Sequence, residues 1–462
     1  MEDKRRHVLL VPYPGQGHVN PMMQFARRLV SKGLKATLAT SVFIAKSMHL
    51  SSSVGQVHLD VISDGYDELG PAAEAPSADT YLARLKAEGS RTLTGLILKH
   101  QSTPTPVDCV VYEPFLAWAL DVAKEFGLVG AAFFTQPCTV DYIYYSIHHK
   151  LLSLEQVSSS SGPVSIPGLP LQLELRDMPS FIGAPASYPA YFLMLLNQFS
   201  NADKADFILI NTFYKLEAEA VDTMLKVCPV LTIGPTIPSI YLDRRLQNDD
   251  EYNIDLFTLD ASVSTKWLSD KPPRSVVYVA FGSISDLSEK QMEELAWGLK
   301  RSNFYFLWVV RATEQAKLPK IFMEELGDRG CVASWSPQVK VLADQAVGCF
   351  LTHSGWNSTI EAVSLGVPMV AMPQWTDQPP NAKLVEDFWK VGIRVRVGED
   401  GIVPREEIER CIREVMVGEK GKEIKKNTEK WRELAIEAVS EGGSSDVNID
   451  KFVAKVIKSR IT

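Results

Sequence analysis

The chain is poor in cysteine, has no long apolar run and has no basic block. Its 462 residues include six Cys, at 109, 138, 228, 331, 349 and 411. They form no C-x-x-C pair and no metal-ligand spacing, which argues against zinc modules and disulfide scaffolds; several sit in apolar runs and read as reduced core thiols. No stretch of about 18 apolar residues occurs, so no membrane-spanning helix is expected. The opening MEDKRRHVLLVPYPG is charged, but its apolar run is too short for a secretory signal. The formal charge is −8 and no basic run breaks it, which disfavours nucleic acid as a partner. There is no D-x-D pair to hold a divalent metal against a diphosphate, so any phosphate chemistry is expected to run without metal or cofactor.

What is present is alternation. Apolar runs near 7–12, 35–40, 57–62, 107–112, 129–134 and 206–211 read as strands, with helical patterns between them at 21–31, 80–100, 115–126 and 215–227. After a Pro-rich and then charged passage, a second set follows near 275–281, 304–310, 329–333, 346–351, 367–372 and 391–397. Such alternation predicts doubly wound parallel sheets, and the length suits two domains. In sheets of this kind, ligands bind beyond the carboxyl ends of the strands, so polar residues at those ends are the candidates.

Two strand ends are conspicuous. The first, VPYPGQGHVNPMM, places Gly15 and Gly17 in a turn; Asn20 suits a helix N-cap and Pro21 a first helical position, which would hold His18 at the junction. The rival reading is the dinucleotide fingerprint G-x-G-x-x-G. It fails at Asn20, and no acidic residue ends a second strand about 20 positions on. The second is LTHSGWNSTIEAVSLG, where a strand runs into a helix over 359–365 closed by Gly366. Helix-start N–H groups with His353, Asn357 and Ser358 make an anion site. The plainer reading is a capping box formed by Ser358 and Glu361.

The 44 positions from Trp335 to Gln378 carry an opening Trp, a Gln three residues on, H-x-G-W-N-S, a Glu and a closing Asp-Gln. This stretch resembles the signature of plant secondary-product UDP-glycosyltransferases; Ser354 stands where many members have Cys. The resemblance implies a GT-B fold, an α/β architecture of two doubly wound Rossmann-like domains facing a central cleft. Residues 1–237 would bind the acceptor, 238–262 link, 263–444 bind the UDP-sugar, and 445–462 form a C-terminal helix packing back on the first domain. It also implies a donor site. Trp335 would stack on uracil with Ser336 and Gln338 nearby, and Glu361 would accept from the ribose. His353, Trp356, Asn357 and Ser358 belong to the diphosphate segment, with Ser283 facing it; Thr135, Asp377 and Gln378 would meet the sugar. Taken singly, Ser283 and Thr135 would be routine turn hydroxyls.

The family places its catalytic base at the position of His18, steadied by an Asp after the fourth strand. Here that position is Glu113, one methylene longer; its plainer reading is a solvated loop carboxylate. The stretches PYPGQGHVNPM, DGYDE, YLDRRLQND and EGGSSDVNI are similar to those of the group acting on small phenolic acids, steroids, triterpenes and trichothecenes. The implied activity is inverting transfer of glucose from UDP-glucose to a small apolar acceptor by a cytoplasmic monomer that needs no metal. The first-domain aromatics include Phe115, Trp118, Tyr142, Tyr144, Tyr145, Phe181, Tyr188, Tyr191 and Phe192; many of them must be core, and some would line an apolar acceptor pocket near His18. The alternative is a sugar-nucleotide or small-molecule binding protein with lost or weakened catalysis.

Overall fold

A computed structural model describes residues 5–47, 53–54, 56–160, 162–246, 262–283 and 285–459. The expected linker falls largely outside them, at 247–261. The chain forms two compact units, Met1–Phe257 with Glu437–Thr462, and Thr258–Ile436.

The first unit is built on an eight-stranded sheet. Its strands lie in the order Val230–Thr232, Phe207–Ile210, Val129–Phe134, Val107–Tyr112, His7–Val11, Lys35–Ser41, Val57–Ile62 and Ser53–Val54. Every pairing is parallel except the last. The inner strands are apolar on both faces and buried throughout, as a sheet covered by helices on both sides requires. The order reverses between His7–Val11 and Val107–Tyr112, which pair with Leu10 beside Val111 and Val11 beside Tyr112.

The second unit repeats the plan with six parallel strands, in the order Gly330–Ala333, Tyr305–Val309, Val276–Ala280, Val347–Thr352, Met369–Ala371 and Gly392–Arg394. Here the reversal lies between Val276–Ala280 and Val347–Thr352, with Ala280 beside Thr352.

The helix Ser444–Lys458 belongs to the first unit. Phe452, fully buried, lies 5.8 Å from the Phe25 ring and 6.0 Å from that of Phe207. Ser445 Oγ donates to the Gly234 carbonyl at 2.6 Å, and Asn448 Nδ2 to that of Thr232 at 3.0 Å. Ile449, Val453 and Val456 join the same core.

Two local expectations are corrected. The helix after the first strand begins at Gln16, with Gly15 as an extended N-cap, and Pro21 lies inside it. The His18 N–H already bonds the Gly15 carbonyl at 2.9 Å. Proline's fixed φ suits an early turn, so the Asn-Pro pair does not mark the start. The second helix begins at Trp356 with Gly355 as N-cap and no side-chain cap. Ser358 lies within its first turn, and the Ser358–Glu361 capping box does not form. Gly366 does close this helix, at φ 72°. All six cysteines are buried and free. Among the described residues no helix is long and apolar enough to cross a membrane.

Candidate active site

In the first unit, three neighbouring strands end on His18, Glu113 and Thr135. The ladder continues one bond past the strand, from the Glu113 N–H to the Val11 carbonyl at 3.0 Å. That bond turns the Glu113 side chain into the sheet end, where it is 1% exposed. Glu113 is therefore no solvated loop residue. His18 Nδ1 lies 3.4 Å from Glu113 Oε2, and its side chain is 24% exposed. Thr135 Oγ1 lies 3.0 Å from His18 Nδ1 and donates to Glu113 Oε1 at 3.3 Å. Burial pushes the Glu113 carboxyl above the usual range, and His18 and Thr135 partly oppose the rise. The loop after Thr135 is held by Glu217, which accepts from the N–H groups of Cys138 and Thr139 at 3.0 and 2.9 Å, at the start of the helix Cys138–His148.

Aromatic rings face the imidazole edgewise: Tyr13 at 5.3 Å and Phe115 at 5.4 Å between centroids. Tyr81 stands 6.5 Å behind Tyr13. Of the aromatics read from the sequence, Phe115 reaches His18. Trp118, Tyr142 and Tyr144 are buried, and Tyr188 is exposed. Tyr13 and Tyr81 were not among the candidates: Tyr13 lies in the same strand-to-helix connection as His18, five positions before it, whereas Tyr81 comes from the distant helix Ala78–Gln101.

In the second unit the donor candidates form a connected set. Gln338 Nε2 donates to Ser358 Oγ at 2.9 Å and to Glu361 Oε2 at 2.7 Å. Its Oε1 accepts from the Tyr278 hydroxyl at 3.3 Å, and that hydroxyl lies 2.9 Å from Ser336 Oγ. Ser336, Ser358 and Glu361 are buried, whereas Trp335 is half-buried at the end of Gly330–Ala333. Tyr278, unforeseen in the sequence, anchors the set from inside the strand Val276–Ala280, stacked on Phe350 at 4.9 Å.

His353 follows the strand Val347–Thr352. Burial lowers its imidazole to about 4, against a hydrogen bond to the Ala280 backbone that raises it. With no anion beside it, burial favours the neutral imidazole. Two glycines clasp the ring: a Cβ on Gly282 would stand 2.8 Å from His353 Nε2, and one on Gly355 2.6 Å. Ser283, exposed, has its carbonyl held by Arg311 Nη1 at 2.7 Å, and Arg311 Nη2 reaches the Ser285 carbonyl. Asn357 is half-buried in the first turn of the helix Trp356–Leu365.

Trp356 is 3% exposed and packs 6.1 Å from Trp389, so its ring serves the core. Its backbone N–H bonds the Asp377 carboxylate. Asp377 also accepts from Thr376 Oγ1 at 2.5 Å and from Asn381 Nδ2 at 2.7 Å. It acts as a buried anion at a helix start, although burial still raises its carboxyl. Gln378 Oε1 accepts from the N–H groups of Gln374 and Trp375 at 2.8 and 3.0 Å. Among the described residues no group of three His, Cys, Asp or Glu could hold a metal ion.

One doubly wound unit thus carries a histidine beside a buried carboxylate, and the other a linked group of polar side chains around Gln338. The profile described as "UDP-glucoronosyl and UDP-glucosyl transferase" matches residues 266–430. UDP-glycosyltransferase 74F2 of Arabidopsis thaliana is 54% identical over 459 residues, 99% of each chain. Flavonol 7-O-beta-glucosyltransferase UGT74F1 of the same plant is 52% identical over 459 residues, again 99% of each. The crystal structure of Os79 from O. sativa with U2F and trichothecene superposes with a TM-score of 0.89 at 39% identity, covering 97% of this chain and 100% of that one. The chain belongs to the plant UDP-glycosyltransferase family, and its units are those of the GT-B fold.

Proposed function

We propose that the enzyme transfers glucose from UDP-glucose, with inversion, to a hydroxyl or carboxyl of a small apolar plant metabolite such as a steroid, terpenoid or phenolic, giving a β-glucoside. His18 takes the acceptor proton, and the acceptor oxygen attacks the anomeric carbon as the bond to UDP breaks. Glu113 offsets the charge gained by the imidazole. The observation that carries this reading is the half-exposed His18 imidazole lying 3.4 Å from a buried carboxylate. Tyr13 and Phe115 give the imidazole an apolar approach, which suits an aromatic or terpenoid acceptor. The donor chemistry is supported by the Gln338, Ser358 and Glu361 set and by the closing Asp377-Gln378 pair that the family associates with glucose. The reaction runs without metal, in the cytoplasm, by a monomer.

The test is product formation with a panel of phenolic, steroid and terpenoid acceptors, offering UDP-glucose and UDP-galactose in competition, with and without excess EDTA. UDP-glucose should be preferred and activity should survive the chelator. Equal use of galactose would overturn the donor assignment, and loss with EDTA restored by magnesium would overturn the metal-free mechanism. Absence of any product would favour a binding protein.

A further inference from the structure

We infer that Thr135 is a positioning residue for proton transfer, its hydroxyl relaying between Glu113 and His18. The proposal rests on His18 being the base. The geometry is specific. Thr135 Oγ1 donates to Glu113 Oε1 at 3.3 Å, so its only hydrogen is committed there. Its oxygen lies 3.0 Å from His18 Nδ1 and must then accept, which places the imidazole proton on Nδ1. Nε2 is left as the basic nitrogen. The direct approach of Glu113 Oε2 to Nδ1 is longer, at 3.4 Å. The three side chains follow adjacent strands, Val129–Phe134, Val107–Tyr112 and His7–Val11, so the sheet itself sets their spacing.

The chemistry balances. The acceptor O–H proton moves to Nε2, the acceptor oxygen bonds the anomeric carbon, and the electron pair of the broken bond leaves with UDP. The Nδ1 proton stays on the imidazolium, whose charge is met by Glu113 through the Thr135 hydroxyl.

Thr135→Val keeps the shape and removes the relay; Thr135→Ser keeps the hydroxyl. With an aliphatic alcohol acceptor, Thr135→Val should lower kcat roughly 10–100-fold, part of the 10²–10⁴ that a general base contributes. A nitrophenol acceptor, already ionised, should lose far less. KM for UDP-glucose should hold, and Thr135→Ser should recover most of the loss. Nitrogen-15 shifts of the His18 ring should report the Nδ1–H tautomer in the parent and a mixture in Thr135→Val. Equal losses on both acceptors with a raised KM for UDP-glucose would overturn the relay and assign the hydroxyl to the donor sugar. Unchanged kinetics and unchanged shifts would also overturn it. A parent that glucosylated nothing would sink the functional reading instead, and the nitrogen shifts would still decide the relay.

Discussion

In each unit one of the two strands at the order reversal leads to a histidine, His18 after His7–Val11 and His353 after Val347–Thr352, and the two histidines are built in opposite ways. His18 stands half-exposed among side chains that touch it at 3.0 Å or more. His353 is gripped between Gly282 and Gly355 and bonded to backbone. The neighbouring donor set is tied together at 2.7 and 2.9 Å through Gln338. A group that must accept and return a proton needs room and a charge partner within reach. A group that must hold a fixed ligand is served by rigidity, and its hydrogen bonds are arranged before the ligand arrives. On the function proposed above, the same sheet topology supports a reactive end and a binding end.

The largest effects should break this contrast at its centre. His18→Ala should cut turnover on alcohol acceptors about 10²–10⁴-fold with little change in UDP affinity. His353→Ala should do the reverse, weakening UDP binding measured by calorimetry more than turnover at saturating donor. If both variants chiefly weakened UDP binding, His18 would belong to the donor site.

Glu113 sharpens the comparison next. Glu113→Ala should lower kcat strongly and leave UDP affinity nearly unchanged in steady-state and calorimetric measurements. Glu113→Asp, which cannot span to Thr135 and His18 in the same way, tests whether length or charge matters; retained or raised turnover would show that the carboxylate alone suffices.

A smaller effect is expected at the glycines. Gly355→Ala puts a methyl 2.6 Å from His353 Nε2, an overpacking of the kind that costs about 1–3 kcal/mol. It should lower Tm and UDP affinity together while sparing the His18 nitrogen shifts. At Gly282 the backbone adds its own strain, at φ 74°.

The smallest effect is in acid, and the two ends should respond with opposite signs. His353 is lowered from 6.5 to about 4. Between those values the unfolded chain binds the extra proton, so this group's stabilising share is full above 6.5 and is lost as pH falls toward 4. Glu113 is raised, so the folded state holds its proton more tightly. Its destabilising share is present above the folded value and is relieved as pH falls. Thermal unfolding across acid pH should therefore show His353→Gln losing less stability than the parent on acidification. Glu113→Gln should be more stable than the parent at neutral pH, with the difference closing in acid. Parallel curves for parent and variants would contradict the assignments.

Legibility in the sequence followed the physics of each feature. Long apolar runs bounded by turns marked Val107–Tyr112 and Val129–Phe134 to the residue, because a doubly covered strand is apolar along nearly its whole length, Asp108 being the exception in the first of them. Val230–Thr232 was missed; three residues are too few for any period. Helix starts were misplaced at both functional ends, where Gly15 and Gly355 serve as N-caps without a side-chain signal while Asn20 and Ser358 carry the stronger local one. His18, Glu113 and the Trp335–Gln378 residues were read from motif positions. The links among them were not, because Tyr278, Arg311 and Tyr81 arrive from other turns and their identity alone says nothing of contact. Asp377 and Trp356 illustrate the converse: a motif position showed that they matter, and only the packing shows that they brace the chain itself.

The helix Ser444–Lys458 closes the core that begins with the first strand. A ribosome releases the chain in order, so the earlier unit must wait, with the apolar seat of Phe452 uncovered, until the whole intervening unit has emerged. Synthesis therefore supplies the last residue of the second unit before the last of the first, and a chain released at residue 436 has all of the second unit and a first unit still short of its final helix.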